Sequence, residues 1–458
     1  MRSDTSDLDV MLGDPRRAVR RMIIPLIISF SIVQINSFAD MSWCSGLGYE
    51  ATAGISTISP IYWIISGFGA GIGVGASTLV SRHLATKNRI GADETASNAL
   101  LVSFILSVAL MPVLLLSIRP MMSLMGAEDV SDYGYDYMAP MVVLCLFIVS
   151  EEVLAGLVRS EGAAKRSMMM IVSAAALNIV LDPVLIYVLD MGVMGAGLAT
   201  AIASMLSCTI GIAWYLREMM EVKLRFTTFK PNAGIIRSIL GVGVPRATES
   251  IVVNGMSMVE RYFVIICAGS FGSALFSIPW RFVTISCVIS MACAAAIVPI
   301  CSAAMGSEDY GKAREAYVYG TRICTIIILA MTAFMFVFAE LCVTPFSFSE
   351  DMVAYRHEFA EVLRLYCVFI PFVGLIDMGS AMLQALRRAN ISMWSSLARN
   401  IAIVVLFALT CHTDLMTMFA GMAAAEVAGG LLMIALAAYC FRVKTGMRVR
   451  ILGGFREA

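Results

Sequence analysis

Residues 22–44 read MIIPLIISFSIVQINSFADMSWC, an apolar run that contains Pro25 and Asp40. A helix that crosses a bilayer needs about 20 mainly apolar residues, and this run is long enough. An aspartate at the centre of such a helix costs about 2.5–3.5 kcal/mol, so an acid at this depth is a candidate functional group. The stretch therefore predicts a membrane-spanning helix that carries a functional carboxyl group.

The composition of the whole chain indicates the same setting. Of the 458 residues, 59% are hydrophobic and 14% are charged, whereas soluble globular proteins are about 45–50% apolar and about 25% charged. The formal net charge is +0, so no overall positive field attracts a nucleic acid. These values predict an integral membrane protein in a lipid bilayer. They exclude a soluble enzyme and a nucleic-acid-binding protein.

Twelve apolar runs are long enough to be membrane spans. When the N-terminus is placed in the cytoplasm, most of the 33 Lys and Arg residues fall in the terminal segments and in the connections after even-numbered runs. This is the positive-inside bias of membrane proteins. We therefore predict a multi-pass protein of the cell membrane with both termini in the cytoplasm. The runs are 22–44, 54–80, 96–118, 137–158, 167–189, 194–216, 240–267, 275–300, 320–345, 359–384, 393–411 and 414–440.

Landmark residues recur in the two halves of the chain. Pro25 and Asp40 in the first run have the same spacing as Pro245 and Glu260 in the seventh. Two parallel six-helix halves are typical of transporters that rock two bundles around a central site. We predict an all-α integral membrane protein with twelve transmembrane helices in two pseudo-symmetric six-helix lobes. Its parts are a cytoplasmic N-terminal segment (1–21), an N-lobe (22–216), a cytoplasmic inter-lobe loop (217–239), a C-lobe (240–440) and a cytoplasmic C-terminal tail (441–458).

Polar residues of three predicted spans reach similar depth in the N-lobe. Asn178 and Asp182 are four residues apart and share one helix face, as do Ala196 and Thr200 on the next helix. At 1.5 Å per residue, Asp40 and Asp182 lie at comparable heights, with Thr200 beside them. Two carboxylates with neutral oxygens suit Na⁺, and two carboxyls in a low-dielectric pocket also suit a proton. The sequence leaves both ions open. A purely structural polar network is the alternative, but such a tie rarely needs two acids.

The C-lobe offers a second candidate site. Glu260 lies at the same estimated depth in the seventh span, and Asp377 of the tenth span lies nearer the membrane midplane. They are candidates for a second cation or substrate site. The alternative for Glu260 is an ion pair with Arg261 or Arg281. Neighbours in a helix point about 100° apart, so Arg281 is the better partner of the two.

Four stretches of the sequence resemble the multidrug and toxic compound extrusion (MATE) family. Residues 75–82 read GASTLVSR, residues 156–167 read GLVRSEGAAKRS, residues 177–183 read LNIVLDP and residues 195–200 read GAGLAT. The resemblance covers essentially the whole chain. It implies a monomeric antiporter that exports small, cationic or amphipathic xenobiotics in exchange for Na⁺ or H⁺, with no other cofactor.

The resemblance also implies roles for particular residues. In the family, cation coupling in the first lobe uses an Asp of span one, an Asn and an Asp of span five, and an Ala carbonyl and a Thr of span six. These roles fall on Asp40, Asn178, Asp182, Ala196 and Thr200, and the second-lobe roles of one branch fall on Glu260 and Asp377. Cation binding is expected to bend span one near Pro25. The family's Arg-Gly pair after span ten is replaced here by residues 387–390, which leaves the second-lobe site and the branch open.

Three other functions fit the sequence less well. A flippase for a lipid-linked precursor, from the related superfamily, needs a strongly cationic central cavity, for which Arg261 and Arg281 are the available cations. A membrane-embedded enzyme needs a nucleophile–base pair or a histidine-rich metal cluster, and the spans contain neither. A passive channel fits two acidic, pseudo-equivalent lobes less well than a rocking carrier. The glycines between Gly67 and Gly75 predict a small-residue seam for close helix packing, not a nucleotide site.

Overall fold

The structure is a computed structural model that describes residues 6–224, 230–344 and 355–449. Within these ranges every regular element is helical. Parts of the predicted N-terminal segment (1–5), inter-lobe loop (225–229) and C-terminal tail (450–458) lie outside the described residues. The helices are α1 (Asp7–Leu12), α2 (Pro15–Ser45), α3 (Tyr49–Ile58), α4 (Pro60–Ala85), α5 (Arg89–Leu124), α6 (Ser131–Val143), α7 (Cys145–Ser160), α8 (Ala164–Pro183), α9 (Gly192–Leu216), α10 (Ala233–Gly269), α11 (Phe271–Gly306), α12 (Tyr310–Val337), α13 (Ala339–Val343), α14 (Arg356–Ala385), α15 (Ala389–Thr410) and α16 (Leu415–Thr445).

These helices account for the predicted spans. Eleven helical stretches of the described chain are long and apolar enough to cross a membrane. A twelfth span results when the pair Glu128–Val143 and Cys145–Ser160, bent by 56°, is counted as one. The prediction of an all-α membrane protein with twelve spans is confirmed. Helix α10 begins at Ala233, inside the region predicted as the inter-lobe loop.

Both halves of the chain end their helices on one face in the same manner. The chain leaves α4, α7, α9, α11, α14 and α16 through a residue with positive φ, the left-handed conformation that closes many helices. We call this side the terminal face, because α1 and the end of α16 lie on it. The recurrence agrees with the predicted internal repeat. The residues are Lys87, Gly162, Glu218, Glu308, Arg387 and Gly446.

Helix α1 contacts both halves of the molecule at the terminal face. A capping box closes its N-terminus. Met11, which is 1% exposed, lies against the loop after α7, where a Cβ on Gly162 would be 2.9 Å from the Met11 Cβ. On the other side, the Lys312 ammonium of α12 donates a hydrogen bond to the carbonyl of Leu12. This short helix therefore joins the first half of the chain to the second.

Two hydrophobic cores lie side by side. One is built mainly from α4 to α9 and includes Ile72 and Leu154. The other is built mainly from α11 to α16 and also contains Met22 and Leu26 from the first half of α2. The second half of α2 is instead hydrogen-bonded to α8 through Asn36. Helix α2 therefore packs on the C-lobe near the terminal face and on the N-lobe beyond it.

The two lobes meet where α4 crosses α10. A Cβ on Gly71 would lie 2.5 Å from the carbonyl oxygen of Gly243, which is closer than real Cβ atoms approach, so glycine is required. The predicted glycine seam is thereby confirmed. Nearer the terminal face, the Arg82 guanidinium at the end of α4 donates a hydrogen bond to the carbonyl of Ala385 in α14. The lobes are closed against each other on this side.

Buried side chains of the N-lobe hold the described part of the inter-lobe connection. The backbone N–H of Glu221 donates to the Glu161 carboxylate at 2.6 Å, and the N–H of Lys223 donates to Asp93 at 2.8 Å. The N–H of Asn232 donates to the side-chain carbonyl of Asn98 at 3.0 Å (Asn98 lies in α5). The connection is thus docked on the N-lobe up to the start of α10.

Glu161 makes the stability of this connection depend on pH. Its side chain is 2% exposed, and burial raises its pKa from 4.5 to about 8. Because the pKa is higher in the folded chain, the stability that Glu161 contributes is fully present below about pH 4.5 and is lost as the pH rises through about 8, at about 1.4 kcal/mol per pH unit as an upper limit. We expect the Tm of Glu161→Gln to fall less than that of the unchanged protein as the pH rises over this range.

The measurement is thermal unfolding of the detergent-solubilised protein across the pH range. Glu218→Gln is the matched control, because Glu218 is an exposed carboxylate of the same connection, with 67% of its side chain accessible. That variant is expected to keep the pH dependence of the unchanged protein. Equal pH profiles for Glu161→Gln and the unchanged protein would contradict the assignment.

Candidate cation-coupling site

A chain of polar side chains connects α2 to α8 in the N-lobe. The Asn36 amide of α2 donates to the side-chain carbonyl of Asn178 in α8 at 2.6 Å, and more weakly to Asp40 at 3.4 Å. The Asn178 amide in turn donates to Asp182 at 3.1 Å. Asn178 and Asp182 are each 1% exposed. The structure therefore brings together three of the residues predicted for this site, Asp40, Asn178 and Asp182.

Three acceptor oxygens in this cluster have no donor. Asn36 Oδ1, Asp40 Oδ1 and Asp182 Oδ2 are buried and accept no hydrogen bond from the described residues. The carboxyl groups of Asp40 and Asp182 act on each other's charge. Two interacting carboxyls in a low-dielectric site favour a shared proton or a bound cation over two free carboxylates. The donor set consists of hard oxygens, which suits Na⁺ as well as H⁺.

A small apolar cluster lies near these carboxyls. It contains Cys44, Ile186 and Ala196, and Cys44 is close enough for the charges of Asp40 and Asp182 to act on it. The Thr200 hydroxyl donates to the carbonyl of Ala196 within its own helix at 3.3 Å. Among the described residues it has no hydrogen bond to Asp40 or Asp182. The roles of Ala196 and Thr200 as ligands stay predictions.

The backbone after α8 departs from a regular α-helix directly beyond Asp182. Pro183 follows Asp182 directly, and the chain continues as one π turn over Val184–Val188. Single π turns often occur at functional sites. Pro25 lies inside α2, which is helical on both sides of it, and its carbonyl accepts a 2.8 Å hydrogen bond from the buried Ser29 hydroxyl. That α2 bends at Pro25 stays a prediction.

The second candidate site is less closely connected. Asp377 accepts a 2.5 Å hydrogen bond from Ser290 of α11. Glu260 is buried near the ion pair that Arg399 forms with Glu426 at 3.0 Å. Within the described part of the chain no hydrogen bond or ion pair joins Glu260 to Asp377, although the charge of Arg399 reaches both. A working second site stays a prediction.

Arg281 of α11 has a contact that the sequence did not predict. Its guanidinium lies 5.8 Å from the centre of the Phe38 ring in α2, within cation–π range. The contact crosses between the lobes, and Phe38 lies two residues from Asn36 and two from Asp40. Its predicted pairing with Glu260 stays a prediction.

Each lobe matches one family repeat. Residues 25–184 and residues 245–410 match the model of the MatE family. The chain belongs to the MatE family. It is 26% identical to the multidrug export protein MepA of Staphylococcus saprophyticus over 69% of each chain. It is 25% identical to an FAD transporter of Shewanella oneidensis over 87% of this chain and 88% of that protein.

The solved structures agree with this membership. An outward-facing multidrug resistance MATE family transporter of the MOP superfamily superposes with a TM-score of 0.91 at 28% identity, covering 96% of this chain and 98% of that one. The carboxyl pair of this MatE protein is therefore placed in a lobe whose fold is shared with known transporters.

Two polar groups of this MatE chain were not predicted from the sequence. Asn36 lies one helical turn before Asp40, so its spacing could have marked it as a member of the cluster. Glu249 lies inside the predicted seventh span and is buried in the C-lobe. Its carboxylate accepts hydrogen bonds from Ser396 at 2.6 Å, Ser392 at 3.2 Å and Ser380 at 3.3 Å, and Arg246 lies 3.4 Å away.

Proposed function

We propose that this MatE protein is an antiporter that exports small organic compounds, cationic or amphipathic in character, in exchange for Na⁺ or H⁺. The names of its relatives support multidrug export. The observation that carries the antiport step is the carboxyl pair of Asp40 and Asp182, in which each residue has a buried oxygen without a donor among the described residues. Such a pair is unstable without a bound cation or proton, so filling and emptying it changes the free energy of the lobe.

Helix α2 supplies the mechanical connection. Its second half carries Asn36 and Asp40, which face α8 in the N-lobe. Its first half packs in the C-lobe core through Met22 and Leu26. A change in the charge of the carboxyl pair therefore acts on a helix that both lobes hold. This geometry supports alternating access of the two lobes, with Pro25, in the half that packs on the C-lobe, as the point where α2 can bend.

The remaining parts of the proposal concern setting and competitors. The protein works as a monomer in the cell membrane, with the terminal face towards the cytoplasm. The flippase alternative is less favoured, because Arg399 is neutralised by Glu426 and Arg246 lies beside Glu249. These pairs leave less positive charge in the interior of the C-lobe for a phosphate headgroup.

The test is efflux of a cationic dye from proteoliposomes with an imposed Na⁺ gradient or an imposed H⁺ gradient. One of the gradients is expected to drive efflux by the unchanged protein, and Asp182→Asn is expected to abolish it. Asp190→Asn is the matched control, because Asp190 is an exposed carboxylate just beyond the same helix and its left-handed backbone suits Asn. Full gradient-driven efflux by Asp182→Asn would overturn the coupling role.

A further inference from the structure

Four cationic side chains gather where the two lobes meet on the terminal face. Arg82 ends α4 in the N-lobe, Arg387 and Arg388 follow α14 in the C-lobe, and Lys444 lies in the last turn of α16. We call these four residues the seam cations. The hydrogen bond from Arg82 to the carbonyl of Ala385 places Arg82 beside the C-lobe. Ala385 lies two residues before Arg387.

The seam cations lie close enough to repel one another. The charge of Arg387 acts on Arg82, and the charges of Arg82, Arg387 and Arg388 all act on Lys444. Arg388 also acts on Cys440, one helical turn before Lys444, so it faces the same side of α16. The close approach of α11 tightens the arrangement, since a Cβ on Gly306 would lie 2.8 Å from the Arg82 Cα.

Nothing in the described part of the chain neutralises this cluster. Within residues 6–224, 230–344 and 355–449, no carboxylate forms a hydrogen bond or ion pair with any of the four side chains. Arg82 Nε is buried and has no acceptor there. Arg387, Arg388 and Lys444 are exposed. A positive cluster with a buried unused donor, open on one side, is a receptor for an anion.

The backbone places Arg387 at the left-handed exit of α14. Arg387 has φ 59, the left-handed conformation that glycine adopts most easily and that a long side chain adopts at a cost. The corresponding position after α7 in the N-lobe is Gly162, with φ 79. The chain thus places an arginine where its own repeat uses glycine, and the side chain of that arginine makes no hydrogen bond within the described residues.

We propose that the seam cations bind the phosphate of an anionic phospholipid headgroup, and that this anion stabilises the contact between the two lobes on the terminal face. Guanidinium groups match phosphate oxygens with paired hydrogen bonds, and basic pockets between membrane helices at this level bind phosphate headgroups. The anion offsets the repulsion between Arg82 of one lobe and the three cations of the other. The inference concerns a ligand of the carrier and does not depend on which compound is exported or on the coupling ion.

The test uses the full chain in detergent and in lipid nanodiscs, with phosphatidylglycerol as the probe. Native mass spectrometry measures the lipid retained, and thermal unfolding measures the stabilisation that the lipid confers. Arg388→Gln and Lys444→Gln are each expected to weaken binding about fivefold, since one basic residue near such a headgroup contributes about 1 kcal/mol. Neither side chain has a hydrogen bond or ion pair within the described residues, so both variants are expected to unfold at the temperature of the unchanged protein in phosphatidylcholine.

Arg442→Gln is the matched control, because Arg442 is an exposed cation in the same last turn of α16 but is not among the charges that act on the cluster. It is expected to retain phosphatidylglycerol as the unchanged protein does. Equal retention by all four proteins would overturn the proposal, because it would show a general attraction to the basic face. Inorganic phosphate is the second arm. If phosphate alone gives the full stabilisation and phosphatidylglycerol adds nothing, the lipid is the wrong source of the anion.

Discussion

Asp40→Asn and Asp182→Asn are each expected to lower gradient-driven efflux at least about 100-fold, to the level of passive leak, and the double variant is expected to be no worse than either single one. Asp40 and Asp182 act on each other's charge, and each has a buried oxygen without a donor among the described residues. Loss of either carboxyl removes oxygens and charge that the cation or shared proton needs, so the ion can no longer bind and drive transport. Groups that act as one unit give such non-additive effects.

The measurement is a double-mutant cycle of efflux rates in proteoliposomes under the driving gradient. Asn36→Leu adds a third arm, because it removes the amide that connects α2 to Asn178 while both carboxyls remain. We expect it to reduce coupling less than either Asp variant. If the effects of the two Asp variants multiply in the double variant, the carboxyls act independently and the shared site is wrong.

Glu249→Leu is expected to lower the free energy of unfolding by about 3 kcal/mol, because it leaves a partly buried cation and three hydroxyls without their acceptor. The Glu249 carboxylate accepts hydrogen bonds from Ser380, Ser392 and Ser396 and lies beside Arg246. It thereby ties α10 to α14 and α15 within the C-lobe. We expect the loss to appear as a lower Tm in detergent.

The control for this prediction is Ser396→Ala. It removes one of the hydrogen bonds to Glu249 and leaves the carboxylate in place, so a loss of only about 1 kcal/mol is expected. Glu249→Gln is expected to fall between the two, because the amide still accepts from the serines but no longer balances Arg246. A Glu249→Leu protein as stable as the unchanged one would show that the network contributes nothing to the fold.

The features of the fold that could be predicted follow from one free-energy cost. It is the cost of placing unpaired backbone groups and charged side chains in lipid. Apolar run length located the spans, and the spacing of Pro25 and Asp40 against Pro245 and Glu260 indicated the repeat. The helical period placed Asn178 and Asp182 on one face, and the depth of Asp40 brought it alongside. Each of these inferences depends on one helix at a time or on a regular rise per residue.

The unpredictable part depends on how helices rotate and pack against one another. Residue spacing does not fix the side-chain rotamer of Thr200. It therefore could not show whether the hydroxyl bonds to a carbonyl of the same helix or to the carboxyl pair. Glu249 satisfied the same rule that marked the other acids in spans, and its three serine partners come from helices far along the chain. The separation of Glu260 from Asp377 has the same cause, since placing two acids in one lobe does not bring their helices into contact.

The contact of α1 with both lobes has a practical consequence for work on this protein. Met11 is packed against Gly162, and Leu12 is held by Lys312, so the lobes cannot separate at the terminal face while both contacts persist. A purification handle or fluorescent reporter fused ahead of α1 can disturb this helix, which contacts both lobes. One fused after α16 follows a single lobe. The choice of which chain end to tag therefore decides whether an assay observes the unperturbed transport cycle.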